Sequence, residues 1–220
     1  MCNNWPNFPI DMHIYGTPTG GLIENTVIIC GGLYSSNGDK CYSLTSEKRI
    51  FVTHLSVERS FAASIVLNDN TLWVTSSTSS EYIKMSGTKP VPDLPMYFSN
   101  HAIVAINSSC SRIIGGHYGG ICYTFFYNHN EGEWINGHTL MKARRNHAAG
   151  IVKDEVTNEQ FVAVTGGSDY FEDSFDSTEI LQDGEWVQGK INYTYHKTIV
   201  WKLSGPKILS QHELVLYYKL

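Results

Sequence analysis

Short apolar runs bounded by turn-forming residues recur along this chain. Val27-Ile28-Ile29-Cys30, Leu72-Trp73-Val74 and Phe161-Val162-Ala163-Val164 are continuous, not alternating. A strand packed between two neighbouring sheets is buried on both faces and reads this way. Side-chain bulk then drops at Gly31-Gly32, Ser76-Ser77 and Gly166-Gly167, and Ile113-Ile114 is followed by Gly115-Gly116. Glycine there permits positive φ and close backbone approach. Further strands are predicted at 41–44, 49–52, 81–84, 123–127, 177–181 and 185–187. Residues 62–67 and 71–75 form a hairpin over Asn68-Asp69-Asn70, a turn-forming cluster. Residues 1–20, rich in Pro, Asn and Gly, read as a lead-in with one short strand near His13-Ile14-Tyr15. In the tail, 198–203 and 213–218 are strand-like around a turn at Ser204-Gly205-Pro206-Lys207.

Two markers repeat with nearly one period. Gly115-Gly116 and Gly166-Gly167 are 51 residues apart, and Gly132-Glu133-Trp134 and Gly184-Glu185-Trp186 are 52 apart. The Gly-Gly pair or its substitute starts at 31, 76, 115 and 166. With this content and period the chain resembles the kelch-repeat family. The resemblance implies an all-β fold: a kelch-type β-propeller of about four to five four-stranded antiparallel blades. After the lead-in, one domain spans 21–220, with repeats near 21–60, 61–98, 101–145 and 146–190 and a partial one at 196–220. Kelch propellers usually have more blades. The ring therefore closes at a low blade number, or the chain is a piece of a longer protein. The second is favoured, since terminal units of an open array expose an apolar face. A homo-oligomer is expected if the propeller is incomplete.

Composition narrows the function classes. The chain has 220 residues, 42% hydrophobic, with a formal charge of −5. Lys and Arg are scattered, which argues against a nucleic-acid surface. No apolar run approaches a membrane span, and the start lacks the features of a signal peptide. Cys30 and Cys41 flank one Gly-Gly at a separation of 11, and Cys110 and Cys122 flank another at 12. Both pairs are candidate disulfides; buried thiols are the alternative. Sequons at Asn107 and Asn192 point weakly the same way. Bonded pairs favour an extracellular protein with a truncated N-terminus, and reduced pairs a cytoplasmic one.

Candidate chemistry concentrates in loops. Arg59, Arg144 and Arg145 lie between an outer strand and the next repeat. The resemblance places such loops on the face that often binds partner peptides. Their forked geometry suits carboxylate or phosphate recognition; hydrogen bonding between blades is the structural alternative. The loops after Gly-Gly add Tyr34, His117, Tyr118, Tyr170 and Phe171, aromatic residues of the kind that dominate interface energetics. The acidic cluster Asp169, Glu172, Asp173 and Asp176 lacks the spacing of a calcium loop. Nine histidines include no two-ligand metal spacing, although His101 and His147 head equivalent strands. No nucleophile elbow, phosphate loop or dinucleotide fingerprint is present. The expected function is thus a non-catalytic protein–protein interaction module, without cofactor or metal, for an unknown protein or peptide partner. Two alternatives from the family are a galactose-oxidase-like copper enzyme and a substrate-receptor fragment of a ubiquitin ligase adaptor.

Overall fold

The computed structural model describes residues 17–32, 38–45, 48–117, 122–154, 157–169, 171, 174–189 and 217–218. The chain divides into two compact units, Met1–Ser99 and Asn100–Leu220. In the first, β1 (Thr19–Ile23), β2 (Thr26–Cys30), β3 (Lys40–Leu44) and β4 (Arg49–His54) pair in chain order. So do β5 (Ala63–Val66), β6 (Leu72–Ser76), β7 (Ser79–Lys84) and β8 (Gly87–Val91). In the second unit, β9 (Ala102–Asn107), β10 (Cys110–Ile114), β11 (Thr124–Asn128) and β12 (Glu133–Asn136) form one sheet. The other contains β13 (Ala148–Asp154), β14 (Gln160–Thr165), β15 (Thr178–Gln182) and β16 (Glu185–Gly189). These four meanders are antiparallel throughout, and no helix occurs among the described residues. The architecture is all-β and propeller-like, with the four-stranded sheet as its blade.

The second strand of each sheet runs into the glycine pair or, in the second sheet, into Ser76-Ser77. Every residue of β6 is buried, as are Val162, Ala163 and Val164 of β14. β2 departs from the expectation of burial on both faces. Ile28 and Cys30 join a core with Leu72, Val74 and Ile83 of the second sheet, whereas Val27 is 38% exposed.

The first sheet begins at Thr19, ahead of the predicted start. Its first strand, Thr-Gly-Gly-Leu-Ile, has the composition of a loop. Gly21 explains how it packs: a Cβ there would meet Cδ1 of Leu72 at 2.8 Å and crowd Val66. Glu24 and Asn25, both at positive φ, turn the chain into β2. The predicted strand near His13 and the loop residues Tyr34, Tyr118 and Tyr170 lie outside the described residues. So does the partial fifth repeat, except that β17 (Tyr217–Tyr218) runs parallel to Lys153–Asp154 of β13.

One candidate cysteine pair is bonded and the other takes the free-thiol alternative. Cys30 and Cys41 sit directly opposite on β2 and β3 and are disulfide-bonded. Cys110 and Cys122 are free thiols. Cys110 opens β10 and faces Asn128, whereas Ile114, at the other end of β10, faces Thr124, two residues after Cys122. Four strand residues, about 13 Å at the usual rise, separate the two ends. The nearly equal separations, 11 and 12, hide a difference in register: Cys30 stands one residue before its glycine pair and Cys110 five before.

Restricting the unfolded chain with a short closed loop is worth about 3 kcal/mol. The double substitution Cys30→Ser/Cys41→Ser should therefore lower the unfolding free energy by about 2–3 kcal/mol in a urea titration. A non-reducing peptide map should find Cys30 joined to Cys41 and no bridge between Cys110 and Cys122.

Candidate functional site

The segment that leaves one sheet and enters the next is built the same way three times. It carries a buried leucine, Leu55, Leu94 or Leu140. Their N–H groups donate to the carbonyls of Asp39, Thr78 and Cys122. Four residues after each leucine stands Arg59, Phe98 or Arg144, and two further on the backbone turns through positive φ at Phe61, Asn100 or Asn146. The carbonyl of the residue four after leucine accepts from the second position of the glycine pair. Gly32 N–H reaches Arg59 O at 2.9 Å, Ser77 reaches Phe98 at 2.7 Å, and Gly116 reaches Arg144 at 2.8 Å. The pairs must be small because these carbonyls lie on top of them. A Cβ at Gly31 would stand 2.6 Å from Arg59 O, and one at Gly115 would stand 2.7 Å from Arg144 O. Ser77 takes the left-handed conformation without glycine's freedom.

The two arginine side chains then reach into the following sheet. Arg59 donates to Glu81 Oε1 from Nε at 3.0 Å and from Nη2 at 2.7 Å. Its Nη1 donates to the Ser79 carbonyl at 2.9 Å. Arg144 donates from Nη2 to Glu179 Oε1 at 2.6 Å and from Nη1 to the carbonyls of Gly166 and Ser177. Each carboxylate also accepts a backbone N–H from three residues before its arginine, Ser56 or Met141. Both arginine side chains are 0% exposed. Arg59 and Arg144 are thus buried and bonded within the fold, away from the partner-facing surface that their loop positions suggested. Their charge is consumed inside the fold, the alternative left open by the sequence. The carboxylates were not anticipated. Their signal was the pair Ser79-Ser80-Glu81 and Ser177-Thr178-Glu179 on equivalent third strands.

What reaches solvent lies beside the second clamp. Two loops of the second unit meet there: Arg145 and Ser168 exchange backbone hydrogen bonds at 2.9 and 3.0 Å. The Phe175 ring receives Lys142 Nζ and the Arg144 guanidinium, each at 5.2 Å. Met141 is 60% exposed and Phe171 80%. The Asp169 carboxylate accepts the Phe171 N–H at 2.9 Å, which fixes the turn carrying that ring. Arg145 and His117 are half-buried. Of the expected partner-binding set, the structure thus places Phe171 on the surface and Arg145 beneath the same loop. It adds Met141, which the sequence did not single out. Among the described residues no three metal-ligating side chains converge. A cavity of about 120 Å³ lies elsewhere, between Val152, Phe161, Ile180 and Val187. The carboxylates at its edge, Asp154 and Glu159, are engaged by Thr157.

The two equivalent histidines are buried. His101 is pushed down to about 3, first by burial and then by the charge of His147. His147 falls to about 4 through burial and the Arg144 charge, against an opposing hydrogen bond with the Ile114 backbone. Both are neutral at pH 7. His147 also packs over the second glycine pair, since a Cβ at Gly115 would stand 2.7 Å from its Cε1.

No protein-family model matches this chain, and no curated protein matches it. Among solved structures, that of YjhT superposes with a TM-score of 0.65 at 11% identity, covering 78% of this chain and 69% of that one. At that identity the likeness establishes the fold alone.

Two measurements check the clamp and the histidines. Arg144→Met and Glu179→Gln should each cost about 3–5 kcal/mol, because each strands a buried charge or its acceptors. The double variant should cost clearly less than their sum, and additivity would show that the pair is not coupled. For the histidines, the native state resists protons that the unfolded chain, at 6.5, accepts. Stability should be intact above pH 7 and fall as pH drops from 6.5 toward 4, by at most about 1.4 kcal/mol per pH unit for each histidine. His147→Asn should flatten that slope in acid denaturation curves.

Proposed function

We propose that this chain is a kelch-type repeat protein acting as a non-catalytic protein–protein interaction module. The observation that carries the reading is the exposed pair Met141 and Phe171, on loops pinned by the Arg144–Glu179 clamp and the Arg145–Ser168 exchange. A flexible thioether and an aromatic ring held on ordered loops are what a hot spot needs. Ordering them before contact removes part of the entropic cost of association. Lys142 and Arg145 in the same loop favour a partner segment with acidic residues beside an apolar anchor. The reading involves no cofactor and no nucleic acid. The Cys30–Cys41 bridge favours an oxidising compartment, extracellular for a mature chain.

The test separates surface from scaffold. Met141→Ser/Phe171→Ser should leave the melting temperature within about 2 °C of the parent, as expected for exposed positions. The same variant should lose the partners that the parent captures in crosslinked pull-downs. Identical capture by variant and parent would remove this rim from the function.

A further inference from the structure

The third sheet carries a modification signal at the end away from its glycine pair. Asn107 closes β9 and Cys110 opens β10, and they stand opposite each other across the turn Ser108-Ser109. Asn107-Ser108-Ser109 is an Asn-x-Ser triplet, the pattern that admits an asparagine to N-linked glycosylation. Such triplets are common by chance, so their place in the fold decides what they mean.

This one is open to solvent. Asn107 and Ser108 are exposed, as are Asn130 and Glu131 of the neighbouring turn. Asn107 Oδ1 accepts the Ser109 N–H at 2.9 Å, an Asx turn that holds the carboxamide oxygen against the backbone. Asn107 Nδ2 has no acceptor among the described residues. Nearby carboxamides are used differently. Asn128 Nδ2 donates to Glu131 Oε2 at 2.7 Å, and Asn130 Nδ2 donates to Ser109 Oγ at 3.0 Å. The His129 N–H donates to the Ser109 carbonyl at 2.8 Å, so the tip is fixed from the adjacent hairpin. The nitrogen that a sugar would join is not engaged by the fold. The Cys30–Cys41 bridge favours the oxidising compartment in which this transfer takes place. The tip also leaves the rim clear. Arg144 closes over Gly116 at the other end of β10, four strand residues or about 13 Å away.

We propose that Asn107 is the acceptor of an N-linked glycan. This is independent of the role of the Met141–Phe171 rim. In the transfer, Nδ2 bonds to the anomeric carbon of an oligosaccharide while that carbon's bond to a polyprenyl pyrophosphate donor breaks. The amide gives up one proton, the lipid pyrophosphate leaves, and nothing is oxidised or reduced. The test leads the full chain into the secretory pathway of a eukaryotic host with a cleavable leader. Cell-associated and secreted protein are both deglycosylated enzymatically in ¹⁸O water and mapped by mass spectrometry. Residue 107 should appear as ¹⁸O-labelled aspartate in most molecules of both fractions. Ser109→Ala, which keeps Asn107 and the N–H bonded to it, should lose the label at 107 and leave the state of Asn192 unchanged. An unmodified Asn107 in the cell fraction of the parent overturns the proposal, whether or not the chain is exported. So does a glycan at 107 in cells that is missing from secreted protein, since the folded form would then not tolerate it.

Discussion

The two buried arginine–carboxylate clamps set the terms for everything around them. A buried ion pair is seldom a large net source of stability, because desolvating both ions offsets most of their attraction. What these pairs supply is position. The backbone of Arg59 closes over the glycine pair of the first sheet while its side chain is fixed by Glu81 in the second. Arg144 does the same for the third and fourth sheets. One residue thereby ties the exit of one meander to the interior of the next. Removing either ion leaves the other buried and uncompensated, so the arrangement tolerates joint replacement better than single changes. Phe98, four residues after Leu94, shows that an apolar residue also occupies the arginine position.

The clamp also accounts for the glycines. An arginine carbonyl lying on the strand end leaves no space for a Cβ at Gly31 or Gly115. The drop in side-chain bulk that punctuates the sequence is the imprint of a backbone from elsewhere in the chain. Ser77, at the second position, donates to the Phe98 carbonyl as Gly32 and Gly116 do to theirs, and takes a positive φ with less conformational freedom, so the second repeat looked degenerate while keeping this hydrogen bond.

Legibility followed periodicity. Where a strand ends in glycine at a repeating interval, as at Gly115 and Gly166, its place and role could be read directly. Trp186 likewise sits on the outer strand and bridges the gap to the third sheet by donating to His138 O. β1 was illegible because Gly20 and Gly21, needed for close packing, carry the composition of a loop. The partners of Arg59 and Arg144 were illegible for a different reason. Glu81 is 22 residues away and Glu179 is 35, so no local pattern links them, and only the shared Ser-x-Glu on third strands marks them. The Cys110–Cys122 pairing failed on register, which sequence separation does not encode. For Arg59 and Arg144 the sequence left two readings open, and the structure takes the one in which the arginine bonds within the fold.

That choice bears on where function can reside. Charge near the repeat junction is used by the scaffold, so recognition falls to residues that the scaffold merely holds. Met141 illustrates the division within one residue: its N–H is bound by Glu179 at 2.6 Å while its side chain is largely exposed. Phe171 shows it again, with its N–H fixed by Asp169 and its ring in solvent. A large apolar side chain on a loop of loose backbone would lose on association much of what its burial gains. On a backbone already fixed by a buried carboxylate or an Asx turn, that loss is smaller. The rigidity that hides Arg144 is thus what makes the neighbouring exposed residues usable for binding.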